Sequence, residues 1–424
     1  MKKTLFFSIF WLLSVVSLAQ YDHFFEAATL RIDYIHAGTD KTEFYALENL
    51  IKEPYWGGSK TNLVDTLRYG DYFFEVYDNA NQQLIYSRGY CNLFGEWQTT
   101  EEAKRVQRSF DESIVFPFPK HPVDVRFYSR NHDNGNFDLK FQIAIDPKDY
   151  FIKPAKKLPF AIFNVYGDKP SEQAVDIVIL PDGYTNTELG KFIIDSQSFA
   201  KSLFAYEPFK SYQDRFNIRA VLAYSDESGV AIPADSIWPQ TVLSSSFYTF
   251  DSERYCMSYD HTAIRNLAGQ IPYDQIYILT NTEKYGGGGI YNFYSVSAAE
   301  NSSSAKIIVH EFGHAFAGLG DEYFDSSTAY DGFYNLAFEP WEPNLTTLVD
   351  FDKKWKHLVG KKTPIPTPVT EKTIHQTGVF EGGGYCAKGM YRPAFDCLMH
   401  TFKGEVFCET CSAAIIQMIH FYSD

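Results

Sequence analysis

Two histidines and a glutamate lie close together in one segment of the chain. His310, Glu311 and His314 follow the spacing His-Glu-x-x-His. The surrounding residues 305–319 are rich in apolar side chains at the positions of a buried helix. Because an α-helix turns about 100° per residue, the two imidazoles lie roughly 40° apart on one face. They could therefore bind one zinc ion, while the Glu311 carboxylate reaches a metal-activated water.

The alternative is a chance occurrence of this short pattern, which is usually found on a solvated helix face. Here the helix is apolar, so the polar side chains of His310, Glu311 and His314 would be buried. Burying such groups without a compensating partner is costly, and a bound metal would satisfy all three. The apolar context therefore favours a metal site.

A third protein ligand is expected just after this helix. Gly318 and Gly320 interrupt the helical pattern and allow a sharp turn back toward the metal. Asp321 is the nearest carboxylate, and we predict that it is the third ligand. Glu322 is the next candidate and His400 a more distant one. An ordinary acidic residue in a turn is the alternative explanation for Asp321.

A longer run of residues extends this motif. Residues 310–323 read HEFGHAFAGLGDEY, and this run is far more specific than the five-residue pattern alone. Four further segments are distinctive in the same way, because each is a long and specific run of residues. They are DIVILPDGY at 176–184, KYGGGGIYN at 284–292, GVFEGGGYCAKGMYRP at 378–393, and residues 397–411. With these segments the chain resembles the IgA-protease family of zinc metallopeptidases, peptidase family sixty-four. The resemblance covers most of the chain, because family members carry an N-terminal β domain before the peptidase domain.

The resemblance implies a metzincin-like endopeptidase with zinc as its cofactor. In such an enzyme His310, His314 and Asp321 bind the zinc and Glu311 is the general base. Immunoglobulin is not inferred as the substrate, because few members of the family are known to cleave it. Met399 falls where a methionine turn could underlie the metal site as in metzincins. An ordinary core methionine is the alternative for this residue.

The elements that must position these residues fall into two regions. Between residues 27 and 145, apolar and polar residues alternate as in half-buried strands of an antiparallel sandwich. Leu30, Ile32 and Tyr34, for example, alternate with Arg31 and Asp33, which are expected on the solvated face. Residues 147–170, which contain several prolines and lysines, are predicted to form the boundary.

Beyond this boundary the pattern becomes mixed. Residues 175–180 are typical of a strand buried on both faces, and residues 216–224 and 275–280 of two more strands. Thr185 and Glu188 predict a capping box at the start of a helix. Residues 290–296, which follow the glycines at 286–289, could form the sheet edge above the zinc, where an extended substrate could pair.

The predicted fold is a two-domain combination of α+β and α/β classes. An N-terminal antiparallel β-sandwich is followed by a zincin, metzincin-like catalytic domain that has a mixed sheet and an active-site helix. The expected boundaries are a signal peptide at residues 1–19, the sandwich at 20–155 and the metallopeptidase domain at 156–424.

Composition and charge limit the partners of the chain. Of its 424 residues 45% are hydrophobic and 21% charged, which is typical of a globular protein, and the formal net charge is −15. Nucleic acid is therefore not expected as a partner. Residues 1–19 combine lysines, an apolar stretch and small residues as in a signal peptide, and no transmembrane segment is expected after its removal. We expect export in a bacterium, to the periplasm, the cell surface or the medium.

Four of the six cysteines lie near the end of the chain. They are Cys386, Cys397, Cys408 and Cys411. In an oxidising compartment such a group is expected to form disulfide bonds, and four cysteines allow three pairings. A structural zinc site built from all four is the alternative.

The function predicted from these observations is that of an exported zinc-dependent endopeptidase acting on a protein or peptide, with a host glycoprotein among the candidate substrates. One alternative is a non-catalytic surface protein that binds glycan or protein, in which a fourth side chain would close a structural zinc site. The other is a zinc amidase that acts on cell-wall peptides. No oligomeric state is predicted.

Overall fold

The computed structural model describes residues 20–324, 333–401 and 403–424. These residues form a β-rich protein with four sheets and a few helices. The predicted signal peptide, residues 1–19, lies outside the described residues. In the part of the chain that is described, no helix combines the length and the apolar character needed to cross a membrane.

The N-terminal region consists of two four-stranded sheets. Its elements are β1 (Phe25–Gly38), β2 (Glu43–Glu53), β3 (Tyr72–Asp78), β4 (Leu84–Tyr90), α1 (Leu93–Gln98), β5 (Arg108–Pro119), β6 (Val123–Arg130), β7 (Phe137–Ile145) and β8 (Lys153–Pro154). The strand orders are β5-β1-β2-β8 and β4-β3-β6-β7, with antiparallel pairing except between β2 and β8. Rings from the two sheets touch, as Tyr34 and Phe127 do at 5.3 Å between centroids, so the sheets share one apolar core.

The second region contains a six-stranded mixed sheet. Its elements are β9 (Ile162–Tyr166), β10 (Val175–Asp182), α2 (Leu189–Leu203), β11 (Phe216–Val221), α3 (His261–Ala268), β12 (Gln275–Thr280), β13 (Gly287–Gly289), β14 (Tyr294–Ala298), α4 (Ser304–Ala317), β15 (Phe380–Gly383), β16 (Cys386–Arg392) and α5 (Glu409–Ser423). The order is β13-β14-β12-β10-β11-β9. The sheet edge predicted at residues 290–296 is wrong, because Gly287–Gly289 form the edge strand and Tyr294–Ala298 pair on both sides. The central strands run parallel, and the edge strands β13 and β9 run antiparallel to their neighbours.

Local signals in the sequence account for the elements beside this sheet. Every residue of β10 is buried, as its apolar run predicts for a central strand. The capping box is confirmed, since the Glu188 carboxylate accepts a hydrogen bond of 2.8 Å from the Thr185 backbone N–H just before α2. Residues 147–170 contain β8 and β9, so this stretch joins the two regions as paired strands and not as a free linker.

One expectation about β1 is wrong. Arg31 and Asp33 were expected on a solvated face, but both are buried. The Arg31 guanidinium donates hydrogen bonds to Asp33, at 2.9 Å, and to Asn266 of α3, at 3.0 Å. The reason is that α3, far away in the sequence, covers this face of the sheet.

Helix α3 also joins the cores of the two regions. Arg265 donates a hydrogen bond of 2.9 Å to the Ser113 hydroxyl on β5. Ile264 and Leu267 belong to the same buried cluster as Ile114 and Phe116 of the N-terminal region. The mixed sheet therefore rests on the N-terminal sheets through continuous apolar packing.

Candidate metal centre

Helix α4 carries the two histidines and the glutamate. Its apolar residues Val309, Phe312 and Phe316 pack in the core on one side of the mixed sheet, together with α2 and α5. The helix ends at Ala317, and Gly318 follows in a left-handed conformation with φ of 63°. This conformation is readily adopted by glycine, and here it turns the chain back toward the histidines.

The residues predicted as ligands lie together. The Nε2 atoms of His310 and His314 are 3.1 Å apart. Oδ1 of Asp321 lies 3.2 Å from His310 Nε2 and 3.3 Å from His314 Nε2. The three ligand atoms thus form a nearly equilateral triangle, which is a suitable arrangement for a single cation.

Backbone carbonyls outside α4 orient both imidazoles. Nδ1 of His310 donates to the Leu398 carbonyl at 2.9 Å, and Nδ1 of His314 donates to the Leu319 carbonyl at 2.5 Å. A carbonyl oxygen can only accept, so each Nδ1 carries a proton and each Nε2 can face a metal. Metal-binding histidines usually have a partner of this kind on the other ring nitrogen.

The turn that presents Asp321 is held by Asn344. The Asn344 amide accepts a hydrogen bond from the Gly320 N–H and donates one to the Gly320 carbonyl, both at 2.8 Å. On the far side of the carboxylate, Asp321 Oδ2 accepts a hydrogen bond of 2.5 Å from the Tyr385 hydroxyl. Asp321 Oδ1 is buried and lies 3.2 and 3.3 Å from the Nε2 atoms of His310 and His314. It is therefore the oxygen that is directed at the histidines.

Electrostatics at the three residues fit a cation site. Burial lowers the pKa of His314, but the Asp321 carboxylate outweighs burial and raises that pKa to about 9. Burial also opposes ionisation of Asp321, yet the two imidazoles hold the pKa of this carboxyl well below its usual range. A metal would replace the proton on His314 and neutralise the same carboxylate.

Glu311 lies beside these three residues and faces a cavity. Burial raises the pKa of its carboxyl, and the charges of His310 and His314 partly offset the effect. The cavity has a volume of about 390 Å³ and extends from the histidines toward α1 of the N-terminal region. A carboxylate in this position can accept a proton from a molecule bound in the cavity.

The walls of the cavity come from both regions of the chain. Asp71 and Glu96 belong to the N-terminal region, and Arg254, Tyr255 and Glu342 to the second region. Tyr255 donates a hydrogen bond to Glu96. Burial raises the pKa values of Glu96 and Glu342 to about 7. The cavity therefore combines aromatic, acidic and basic groups around the three candidate ligands.

The other two candidates for the third ligand lie elsewhere. The Glu322 carboxylate points away from the histidines and contacts the Cys411 sulfur at 3.2 Å. His400 lines the cavity, but its Nδ1 lies 3.5 Å from Asp396. Neither belongs to the group formed by His310, His314 and Asp321.

The structure contradicts the expected disulfide bonds. No disulfide bond joins any of the six cysteines, all of which lie within the described residues. The predicted zinc site of four cysteines is not formed either, because Cys386 lies on β16 and is not among the sulfur atoms that converge near Glu322. The sequence places the four thiols near each other but does not show which of them meet in space.

Met399 is buried below α4. A side chain added at Gly313, between the two histidines, would come within 3.2 Å of the Met399 sulfur. The Met399 carbonyl also accepts a hydrogen bond of 2.7 Å from the Glu322 N–H, directly after Asp321. Met399 thus contacts both segments that supply the candidate ligands.

Three residues of this site were missed in the sequence. Tyr385 and Asn344 hold Asp321 and its turn, and Arg254 lines the cavity with its guanidinium 3.3 Å from the Tyr323 hydroxyl. The glycines directly before Tyr385 are a detectable sign of a tight turn. The structure has such a turn here, because Tyr385 adopts a left-handed φ of 63°. Arg254 and Asn344 have no comparable local signal, because only the tertiary fold brings them to the site.

Comparisons with known proteins identify the family of the chain. The family model described as IgA Peptidase M64 matches residues 164–377 and 369–419, and the model described as Peptidase M64 N-terminus matches residues 20–142. None of the curated proteins compared with the chain matches it. The two family models together cover most of the sequence, including all three candidate ligands. The chain therefore belongs to the IgA peptidase M64 family, which is a family of metallopeptidases.

Proposed function

We propose that this chain is a zinc-dependent endopeptidase with a metzincin-like catalytic domain. The observation that carries the proposal is the triangle formed by His310, His314 and Asp321 beside Glu311 in an open cavity. Family membership favours a peptidase over a non-catalytic binding protein. The predicted signal peptide supports export from a bacterial cell as part of the same proposal.

The donor set fits zinc. Ligand atoms about 2.0–2.1 Å from a tetrahedral zinc lie about 3.3 Å apart, and the observed separations are 3.1–3.3 Å. Two imidazoles and one carboxylate are a common catalytic zinc set, and they leave a position open for substrate. The charge on the buried Oδ1 of Asp321, which lies between the two imidazoles, is the feature that a shared cation would neutralise.

Each residue then has a defined task in peptide hydrolysis. A zinc ion held by the three ligands would polarise the scissile carbonyl and lower the pKa of water. Glu311 accepts a proton from the attacking water and transfers it to the leaving amine. Its raised pKa brings this carboxyl closer to the range in which it can both take and give a proton. Arg254 lines the same cavity and supplies a positive charge for substrate carbonyls or carboxylates.

A protein or peptide substrate would lie along β13. Gly287 is already hydrogen-bonded to Arg254 and Cys256, so this part of the edge is occupied. Gly289 lies next to α4, where an added Cβ would come within 3.1 Å of the His314 Cβ. An extended substrate that pairs at Gly289 would therefore run directly past the metal ligands.

Replacing Glu311 tests this proposal. Glu311→Gln should bind zinc as the wild type does, because Glu311 is not a ligand, while hydrolysis should fall by about 100- to 10,000-fold. Zinc content and turnover are measured on one preparation, with unfolded proteins, glycoproteins and cell-wall peptides as substrates. Cleavage of only the cell-wall peptides would identify an amidase.

The matched control is Glu405→Gln at an exposed glutamate. It should leave both zinc content and turnover unchanged. Wild-type turnover in Glu311→Gln would disprove the role of Glu311 as general base, and a wild type that binds no zinc would disprove the proposed cofactor.

A further inference from the structure

A second group of metal-binding side chains lies next to the first. The Sγ atoms of Cys397, Cys408 and Cys411 and a carboxylate oxygen of Glu322 all lie within 4.8 Å of one another. Cys397, Cys411 and Glu322 are fully buried, and Cys408 is partly buried. These four residues are called the cysteine cluster below.

The separations in the cysteine cluster fit a shared metal. The Cys397 and Cys411 sulfur atoms are 3.8 Å apart, and Cys411 Sγ is 3.2 Å from Glu322 Oε1. Two sulfur atoms about 2.3 Å from one tetrahedral zinc also lie about 3.8 Å apart. A disulfide would require about 2.05 Å, so the observed spacing is that of two ligands and not of a bonded pair.

Backbone donors stabilise negative charge on two of the sulfur atoms. The Cys408 N–H points at Cys397 Sγ at 3.3 Å, and the Cys411 N–H points at Cys408 Sγ at 3.5 Å. Cys408 is the N-cap of α5 and Cys411 lies in its first turn, so the positive end of the helix dipole adds to the effect. Burial raises the pKa of the Cys397 and Cys411 thiols, so the thiolate, which is the metal-binding form of cysteine, would form there when a cation binds.

A second, independent observation comes from Glu322. Its Oε1 accepts a hydrogen bond of 3.0 Å from Asn344, but its Oε2 is buried and has no hydrogen-bond partner among the described residues. A buried carboxylate oxygen without a partner is costly. A cation bound beside Oε1 in the cysteine cluster would neutralise the carboxylate and so reduce this cost.

We infer that the cysteine cluster is a second metal site, which binds zinc through Cys397, Cys408, Cys411 and Glu322. Four protein ligands leave no open position, so this zinc is structural. It would connect the segment directly after Asp321 to the start of α5 and to the loop whose Leu398 carbonyl orients His310. The inference does not depend on the proposed peptidase activity, because none of the four residues lines the catalytic cavity.

Metal content and cobalt spectra test the second site. The full chain without its predicted signal peptide is purified under reducing conditions and supplied with zinc or cobalt. We expect about two zinc ions per wild-type chain, and about one in His314→Ala and in Cys408→Ser. The cobalt form of His314→Ala should retain a thiolate-to-cobalt charge-transfer band in the near ultraviolet, and that of Cys408→Ser should lose it.

Cys386→Ser is the matched control, because it changes a nearby cysteine outside the cysteine cluster. It should keep both zinc ions and the cobalt band. The wild type and His314→Ala do not alter the cysteine cluster, so their spectra remain informative if Cys408→Ser fails to fold.

Two results would overturn the second site. One is the absence of a thiolate-to-cobalt band in the folded wild type and in His314→Ala. The other is a thiol count in the denatured, chelator-treated wild type. Six free thiols are expected, and a count of four would show that two cysteines form a disulfide. A band in His314→Ala supports the second site even if Glu311→Gln remains active, so the two proposals fail separately.

Discussion

At the scale of single residues, the position of Asp321 depends on groups outside the set of candidate ligands. One oxygen of its carboxylate accepts a hydrogen bond from Tyr385 and the other is directed at the two histidines. The Asn344 amide fixes the preceding turn. Such outer contacts determine how well a ligand is preorganised, and their loss typically costs 10- to 100-fold in metal affinity (about 1.4–2.7 kcal/mol).

Tyr385→Phe should therefore weaken metal binding while preserving the shape of the ring. Without the hydroxyl, the Asp321 carboxylate can rotate and Oδ2 loses its donor. We expect the dissociation constant for zinc to rise by about 10- to 100-fold. Competition with a chromophoric chelator measures the constant directly and does not require a substrate.

Tyr334→Phe is the control for this substitution. Tyr334 lines the same cavity, but its hydroxyl donates to Glu342, at 2.7 Å, and not to a candidate ligand. Its zinc affinity should equal that of the wild type. Equal affinities in all three proteins would show that the Tyr385 hydroxyl does not position Asp321.

At the scale of elements, the glycines of β13 allow α4 to approach the sheet closely. A side chain at Gly289 would place its Cβ 2.4 Å from the Glu311 carbonyl, and one at Gly287 would reach 3.1 Å from Ile307. The edge strand and the helix that carries the histidines are therefore in contact through backbone atoms. The position of α4 relative to the sheet depends on the absence of side chains here.

Gly289→Ala should displace α4 and destabilise the protein. The contact is with backbone, which cannot move out of the way as a flexible side chain could. We expect the free energy of unfolding to fall by about 1–3 kcal/mol, as in other overpacked sites, with weaker zinc binding. Urea unfolding of the metal-free chain measures the change in the free energy of unfolding without the contribution of zinc binding.

Gly190→Ala provides the matched control. Gly190 lies in α2, and among the described residues an added Cβ would meet no heavy atom within 4 Å beyond its chain neighbours and its own helix backbone. Alanine in a helix is favoured over glycine by about 0.5–1 kcal/mol, so this variant should be unchanged or more stable. A Gly289→Ala protein as stable as Gly190→Ala would mean that β13 and α4 do not constrain each other.

Local patterns predicted many of these elements but not their contacts. The capping box at Thr185, the buried strand β10 and the turn after α4 were predicted because each depends on neighbouring residues. The burial of Arg31 was not predicted, since its partner Asn266 is distant in the sequence. The same holds for Glu322, whose contact with the cysteines depends on where α5 packs.

At the scale of the whole molecule, the two regions share a core, and both line the cavity beside the candidate ligands. His261 lies at this junction, at the start of α3, with its ring 4.7 Å from that of Phe293. Its two ring nitrogens are buried and have no hydrogen-bond partner among the described residues. Burial, with a smaller contribution from Arg265, lowers the pKa of His261 to about 3. The folded protein therefore holds this histidine neutral.

His261 should make the protein sensitive to acid. The unfolded chain binds a proton below a pKa of about 6.5, whereas the folded chain binds it only near pH 3, so stability is lost as pH falls between these values. Between pH 7 and pH 4, the free energy of unfolding should fall by up to about 3 kcal/mol more in the wild type than in His261→Phe. Urea unfolding of the metal-free protein at each pH measures this difference. His375→Phe, at an exposed histidine, should lose as much as wild type. Equal losses in wild type and His261→Phe would show that His261 is protonated in the folded protein, and that the junction between the two regions admits its charge.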